Sequence, residues 1–152
     1  MSQEIWKPNT VVAAIVEQDG KFLFVEEIAN GRVVINQPAG HLDPGETLLD
    51  AVRRETLEES AWTIEPLNLI GVYLMEPPGT GTTYVRFCFE ARALSHSPER
   101  QLDKEIIRAM WLSRDELVAQ QPLHRSPLVL RCVDDYLAGK RYPLSLINDF
   151  RF

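Results

Sequence analysis

Gly40-His41-Leu42-Asp43-Pro44-Gly45-Glu46 runs into Thr47-Leu48-Leu49-Asp50-Ala51-Val52-Arg53 and closes on Arg54-Glu55-Thr56-Leu57-Glu58-Glu59. The first seven residues hold two glycines and a proline and read as a loop. From Thr47 no Gly or Pro interrupts the chain until Pro66, and Thr47 and Asp50 stand in capping-box positions. The stretch predicts a helix over about residues 47–60. On a wheel of about 100° per residue with Leu48 at zero, Val52 falls at about 40°, Glu59 at about 20°, Glu55 at about 340° and Glu58 at about 280°. The carboxylates therefore share the apolar side.

An ordinary charged run would face water, opposite Leu48 and Val52. Carboxylates clustered on the buried side repel one another and take up protons unless a cation sits among them. Oxygen ligands at i, i+3 and i+4 suit a hard ion, Mg²⁺ or Mn²⁺, that keeps waters in its other positions. Arg54 precedes Glu58 by one turn and can reach back to Glu46, so this pair is expected to hold the loop against the helix in support of the site. Gly40 and Gly45 are either simple turn residues or positions where a backbone carbonyl turns toward an ion.

Outward from the helix, residues 10–16 and 21–27 are β-branched, apolar runs joined by Gln18-Asp19-Gly20, the pattern of a hairpin. Asn30-Gly31 turns the chain into residues 32–36, after which Gln37-Pro38-Ala39-Gly40 breaks the strand. Residues 67–75, 82–93 and 108–112 read as further strands. Ser113 with Glu116 is a second capping box, and Ser126-Pro127 opens a helix that Gly139 stops. No repeat or linker divides the chain, so the prediction is one domain over residues 1–152, α+β, with a mixed β-sheet sandwiched by helices.

A chain of 152 residues can bury a core without disulfides or structural metal. Its net charge of −6 and lack of a basic block argue against a nucleic acid duplex as partner. The start of the chain lacks a signal-peptide pattern, and no apolar run approaches the ~20 residues of a membrane span, which together predict a cytoplasmic protein with no membrane contact. Cys88 and Cys132 have no metal-site spacing and read as buried small residues. Trp62 and Trp111 read as core, and His96 and His124 as surface.

Gly40, Glu46, Arg54, Glu55, Glu58 and Glu59 stand at every fixed spacing of the Nudix box, and by these residues the chain resembles the Nudix hydrolase superfamily. Thr56 stands where the box usually has an apolar residue, and Ala61 replaces the Gly before Trp62. Asn36-Gln37-Pro38-Ala39-Gly40-His41-Leu42, Arg86-Phe87, Arg125-Ser126-Pro127-Leu128 and Arg141-Tyr142-Pro143-Leu144 extend the resemblance, over nearly the whole chain, to the phosphatase NudJ subgroup.

The resemblance implies a Nudix-type α/β/α sandwich. It also implies metal ligands at Glu55, Glu58, Glu59 and the Gly40 carbonyl, and hydrolysis of nucleoside tri- and diphosphates or of hydroxymethylpyrimidine pyrophosphate, a thiamine precursor. The catalytic base would be Glu58, Glu59, or Glu105 in the polar loop before Trp111, where Asp103-Lys104-Glu105 can equally be an ordinary solvated loop. Arg86, Arg32 and His41 are candidates for the substrate's phosphates, with surface salt bridges as the plainer role for the arginines. The other readings are an ADP-ribose or dinucleotide pyrophosphatase and a non-catalytic Nudix ligand-binding module. The protein is expected to act as a monomer or homodimer.

Overall fold

A computed structural model describes residues 4–151; residues 1–3, part of the leader reading, and residue 152 lie outside it. β1 (Asn9–Gln18) turns into β2 (Lys21–Ala29) through Asp19 and Gly20, at φ of 53° and 78°. Asn30 and Gly31, at 53° and 74°, turn β2 into β3 (Arg32–Asn36) in the same way. Both turns need positive φ at two successive residues, which Asn, Asp and Gly tolerate best.

β1 and β2 pair only beside their turn, Glu17 with Phe22 and Gln18 with Lys21. Farther along, β2 carries β3 and β7 (Ile106–Leu112), both antiparallel. β1 instead takes β4 (Ala39–His41) and, in parallel, β6 (Tyr84–His96), which pairs with β5 (Trp62–Met75). The sheet is mixed, as expected, and the change of partners along β1 brings β4 beside it.

Helices cover both faces. α1 (Leu48–Ser60) buries Ala51 and Val52 with Val12, Ala14, Val16 and Phe89. α2 (Arg114–Ala119) and α3 (Leu128–Leu137) bring Leu117, Val129 and Val133 against Ala13, Ile15, Phe22 and Phe24. Successive residues of β1 thus enter opposite cores, which is why the strand reads as an unbroken apolar run rather than an alternating one.

Three local expectations are corrected. The break at 37–40 contains a strand, because β1 offers free backbone groups where β2 has left it: Val12 pairs with Gly40, and Ala14 N–H donates to the Pro38 carbonyl at 3.0 Å. β5 starts at Trp62 rather than 67. It ends the strand order, and the register shifts between Pro66 and Asn68, so the missing proline N–H is tolerated. The capping box at Thr47 is half-formed: its hydroxyl accepts from Asp50 N–H at 3.1 Å, but the Asp50 carboxylate takes Arg53 at 3.2 Å.

Candidate metal and phosphate site

Three consecutive residues of β4 touch three residues of the acidic stretch. Gly40 faces away from Ala39 and His41 by strand alternation, toward α1. A Cβ there would lie 2.1 Å from the Glu55 carboxyl carbon, so glycine is required for close approach rather than for an unusual φ. Ala39 N–H donates to Glu59 Oε1 at 3.0 Å, and the His41 carbonyl accepts from Arg54 Nη2 at 3.0 Å.

Arg54 joins loop and helix as the sequence predicts. Its Nε and Nη2 hold the two oxygens of Glu46 at 3.0 and 2.6 Å, while Nη1 reaches Glu55 at 2.8 Å and Glu58 at 3.2 Å. Glu46 also accepts from Asp43 N–H at 2.8 Å. The guanidinium holds the Glu46 carboxyl below its ordinary pKa, and Glu46 in turn raises that of Arg54. Glu46 is therefore a fixed anion whose charge is already spent on Arg54.

Glu55 and Glu59 are buried, at 9% and 8% exposure, on the helix face that also buries Val52. Burial pushes both carboxyls up, against the opposing pull of Arg54 on Glu55; Glu59 reaches about 9, with Glu27, Glu55 and Asp103 adding to the rise. Carboxylate oxygens of Glu55, Glu58 and Asp103 converge within 4.8 Å. Asp103 is brought there by its own N–H, which donates to the Glu58 carbonyl at 3.0 Å. Glu59 lines the same cavity but lies outside that group of three. An all-oxygen set running from buried Glu55 through half-buried Glu58 to exposed Asp103, with one arginine shared between two of its three carboxylates and a glycine that clears the approach, fits a hard divalent cation.

Glu55, Glu59 and Asp103 open on a cavity of about 570 Å³, within the size range of small-ligand sites. Arg32, His41, Arg86 and Glu105 all line it, though Arg32, His41 and Glu105 are exposed and Arg86 is buried at 5%. The Arg86 guanidinium donates to Asn36 Oδ1, Gln37 Oε1 and Cys132 Sγ at 3.1, 3.0 and 3.5 Å. Among the described residues no carboxylate pairs with it, which sets aside its surface salt-bridge reading.

Two acids were missed or undervalued by the sequence. Asp103 figured only as a neighbour of Glu105. Its place is set by a backbone bond to Glu58, which no local pattern signals. Glu27 is buried against the cavity and paired with Arg125. By simple alternation Glu27 shares the face of Leu23 and Val25, because the register shift against β7 skips Ile107 and leaves β2 itself regular; the pair Glu26-Glu27 in an apolar strand was its visible sign.

Both cysteines are buried as expected, but Cys132 is not inert packing, since it accepts from Arg86. Trp62 and Trp111 meet edge to face at 5.4 Å against the α1-side core, in line with the core reading. His96 is exposed and stacks on Trp62, whereas His124 is half-buried with a ring nitrogen 2.8 Å from the Leu117 carbonyl, contrary to its surface reading. No helix among the described residues is long and apolar enough to cross a membrane.

The sequence profile of the NUDIX domain matches residues 6–131. Phosphatase NudJ of Escherichia coli (strain K12) is 38% identical over 148 residues, which is 97% of this chain and 95% of that protein, and so is phosphatase NudJ of Shigella flexneri. Among solved structures, a NUDIX hydrolase from Nitrosomonas europaea is 50% identical with a TM-score of 0.93, covering 95% of this chain and 98% of its own. An ADP-ribose pyrophosphatase from Streptococcus suis, at 18% identity and a TM-score of 0.66, shares the fold.

Proposed function

The chain belongs to the Nudix family of hydrolases, enzymes that act on pyrophosphate bonds, and from that premise we propose that it hydrolyses nucleoside tri- and diphosphates or hydroxymethylpyrimidine pyrophosphate with Mg²⁺ or Mn²⁺. The observation that carries the reading is one cavity lined both by Glu55 and Asp103 of the all-oxygen cluster and by a buried arginine that has no carboxylate partner among the described residues. The near-full-length similarity to phosphatase NudJ supports the substrate class.

Glu55 and Glu58, whose oxygens converge with those of Asp103, would hold the cation together with Glu59 and the Gly40 carbonyl. When bound, the cation neutralises phosphoryl oxygens and makes water more acidic. Arg86 binds phosphate oxygens by charge-assisted hydrogen bonds, with Arg32 and His41 at the rim. Glu58, Glu59 or Glu105 accepts the proton of the attacking water as its oxygen bonds to phosphorus and the bridging P–O bond breaks. Arg54 and Glu46 keep the loop and the helix in register throughout.

The test is release of phosphate and pyrophosphate from a panel of nucleoside di- and triphosphates, hydroxymethylpyrimidine pyrophosphate, ADP-ribose and a diadenosine polyphosphate, each with Mg²⁺ and with chelator. Metal-dependent turnover of the first three substrate types is the expected result. Turnover confined to ADP-ribose or the dinucleotide would move the protein to a pyrophosphatase acting inside a diester. No turnover of any would leave a ligand-binding module.

A further inference from the structure

Arg86 carries a full positive charge out of bulk water, an arrangement that is unfavourable unless an anion completes it. Its protein acceptors are two amide oxygens, which are neutral, and the sulfur of Cys132, a thiol that Cys88 and Arg86 draw toward the thiolate. The three acceptors use three of the five guanidinium N–H groups, the two amides cancel none of the charge, and among the described residues two donors stay uncommitted in a side chain that lines the cavity.

Gln37 is fully buried, and its amide is oriented from both ends. Its Nε2 donates to the Val129 carbonyl in the first turn of α3 at 2.7 Å, and its Oε1 accepts from Arg86 at 3.0 Å. A carbonyl can only accept and an arginine can only donate, so the amide has one possible setting. Asn36, half-buried at the end of β3, gives a second oxygen to the same Nη2.

We propose that Gln37, assisted by Asn36, is a positioning residue for substrate binding: it fixes the Arg86 guanidinium by neutral acceptors so that its charge stays available to a phosphate. The proposal rests on the reading of Arg86 as a phosphate ligand. A glutamate at position 37 or an aspartate at 36 would have nearly the same shape but would neutralise Arg86 from within. The amide, rather than the size of the side chain, is thus what the site uses.

The experiment measures affinity for inorganic pyrophosphate in the presence of Mg²⁺, together with KM and kcat, for the wild type, Gln37→Glu, Asn36→Asp, Arg86→Met and the double variant Gln37→Glu/Arg86→Met. Each single variant is expected to weaken pyrophosphate binding and raise KM by about tenfold to a hundredfold, the worth of a charge-assisted hydrogen bond, with a smaller change in kcat. In the Arg86→Met background Gln37→Glu should add nothing, a non-additivity that a merely structural role would not produce. Should Gln37→Glu fail to fold, Asn36→Asp at its less buried position delivers the same charge. If Arg86→Met leaves the affinity unchanged, the phosphate reading of Arg86 falls and the proposal with it. If Arg86→Met weakens binding but neither carboxylate variant does, or if Gln37→Glu costs as much without Arg86 as with it, the phosphate reading stands and the proposal is overturned.

Discussion

Thr56 is fully buried, and among the described residues its hydroxyl is a buried side-chain oxygen with no hydrogen-bond partner. The neighbouring Ser60 hydroxyl bonds to the Thr56 carbonyl at 2.6 Å and does not serve the side chain. A buried hydroxyl without a partner costs about 1–3 kcal/mol. Thr56→Val, with the same branched shape and no hydroxyl, is therefore expected to stabilise the fold by about 1 kcal/mol, or about 2–4 °C in Tm; an unchanged or lower Tm in a thermal melt would mean that the hydroxyl is satisfied after all. The sequence marks this residue because an apolar side chain is usual there. It does not mark Asp103, whose place depends on a long-range backbone bond to the Glu58 carbonyl rather than on local periodicity; Glu27, by contrast, lies on the face of Leu23 and Val25 by simple alternation and was legible in β2.

Between elements, the decisive contact is β4 against α1. The burial of Glu55 and Glu59 was legible because helical geometry fixes which residues share a face. The strand was not, because Ala39–His41 is extended only through pairing with β1, and a segment of three residues flanked by Pro38 and Pro44 carries the local signature of a loop. Ala61 shows the same limit: it takes φ 63° at the end of α1 without being glycine, its N–H bonded to the Leu57 carbonyl. The fit of the two elements predicts that Gly40→Ala displaces the Glu55 carboxylate. A shift of about 1 Å at a reacting centre costs on the order of a hundredfold in rate, whereas overpacking costs about 1–3 kcal/mol of stability. Steady-state kinetics beside a thermal melt separates these; a variant with kcat within twofold of the wild type would show that Glu55 need not stay where it is.

At the scale of the molecule, the buried carboxylates make stability depend on pH and on the cation together. Glu59 is raised from 4.5 to about 9 and Glu55 is raised as well, so the metal-free fold binds more protons than the unfolded chain and should lose stability as pH rises from about 4.5 toward 9. Cys132, drawn down to about 7 by the Cys88 thiol and by Arg86, works in the opposite direction above pH 7. The informative quantity is therefore the difference in Tm between Mg²⁺-loaded and chelated protein, which should widen steadily from pH 6 to pH 9; a difference independent of pH would remove Glu59 from the cation's ligands.

The same molecule has a long-range ladder at its centre, β1 against β6, running from Asn9 with Tyr84 to Val16 with Ala91. Such pairing closes late, because the loop between its partners must be ordered before any contact rewards it. During synthesis the whole acidic stretch is made before Arg86, Asp103 or β6. A nascent chain thus carries the full signature while it is still unable to bind what the finished fold binds, and β1 must wait with its edge open, the interval in which a chaperone would have most to protect.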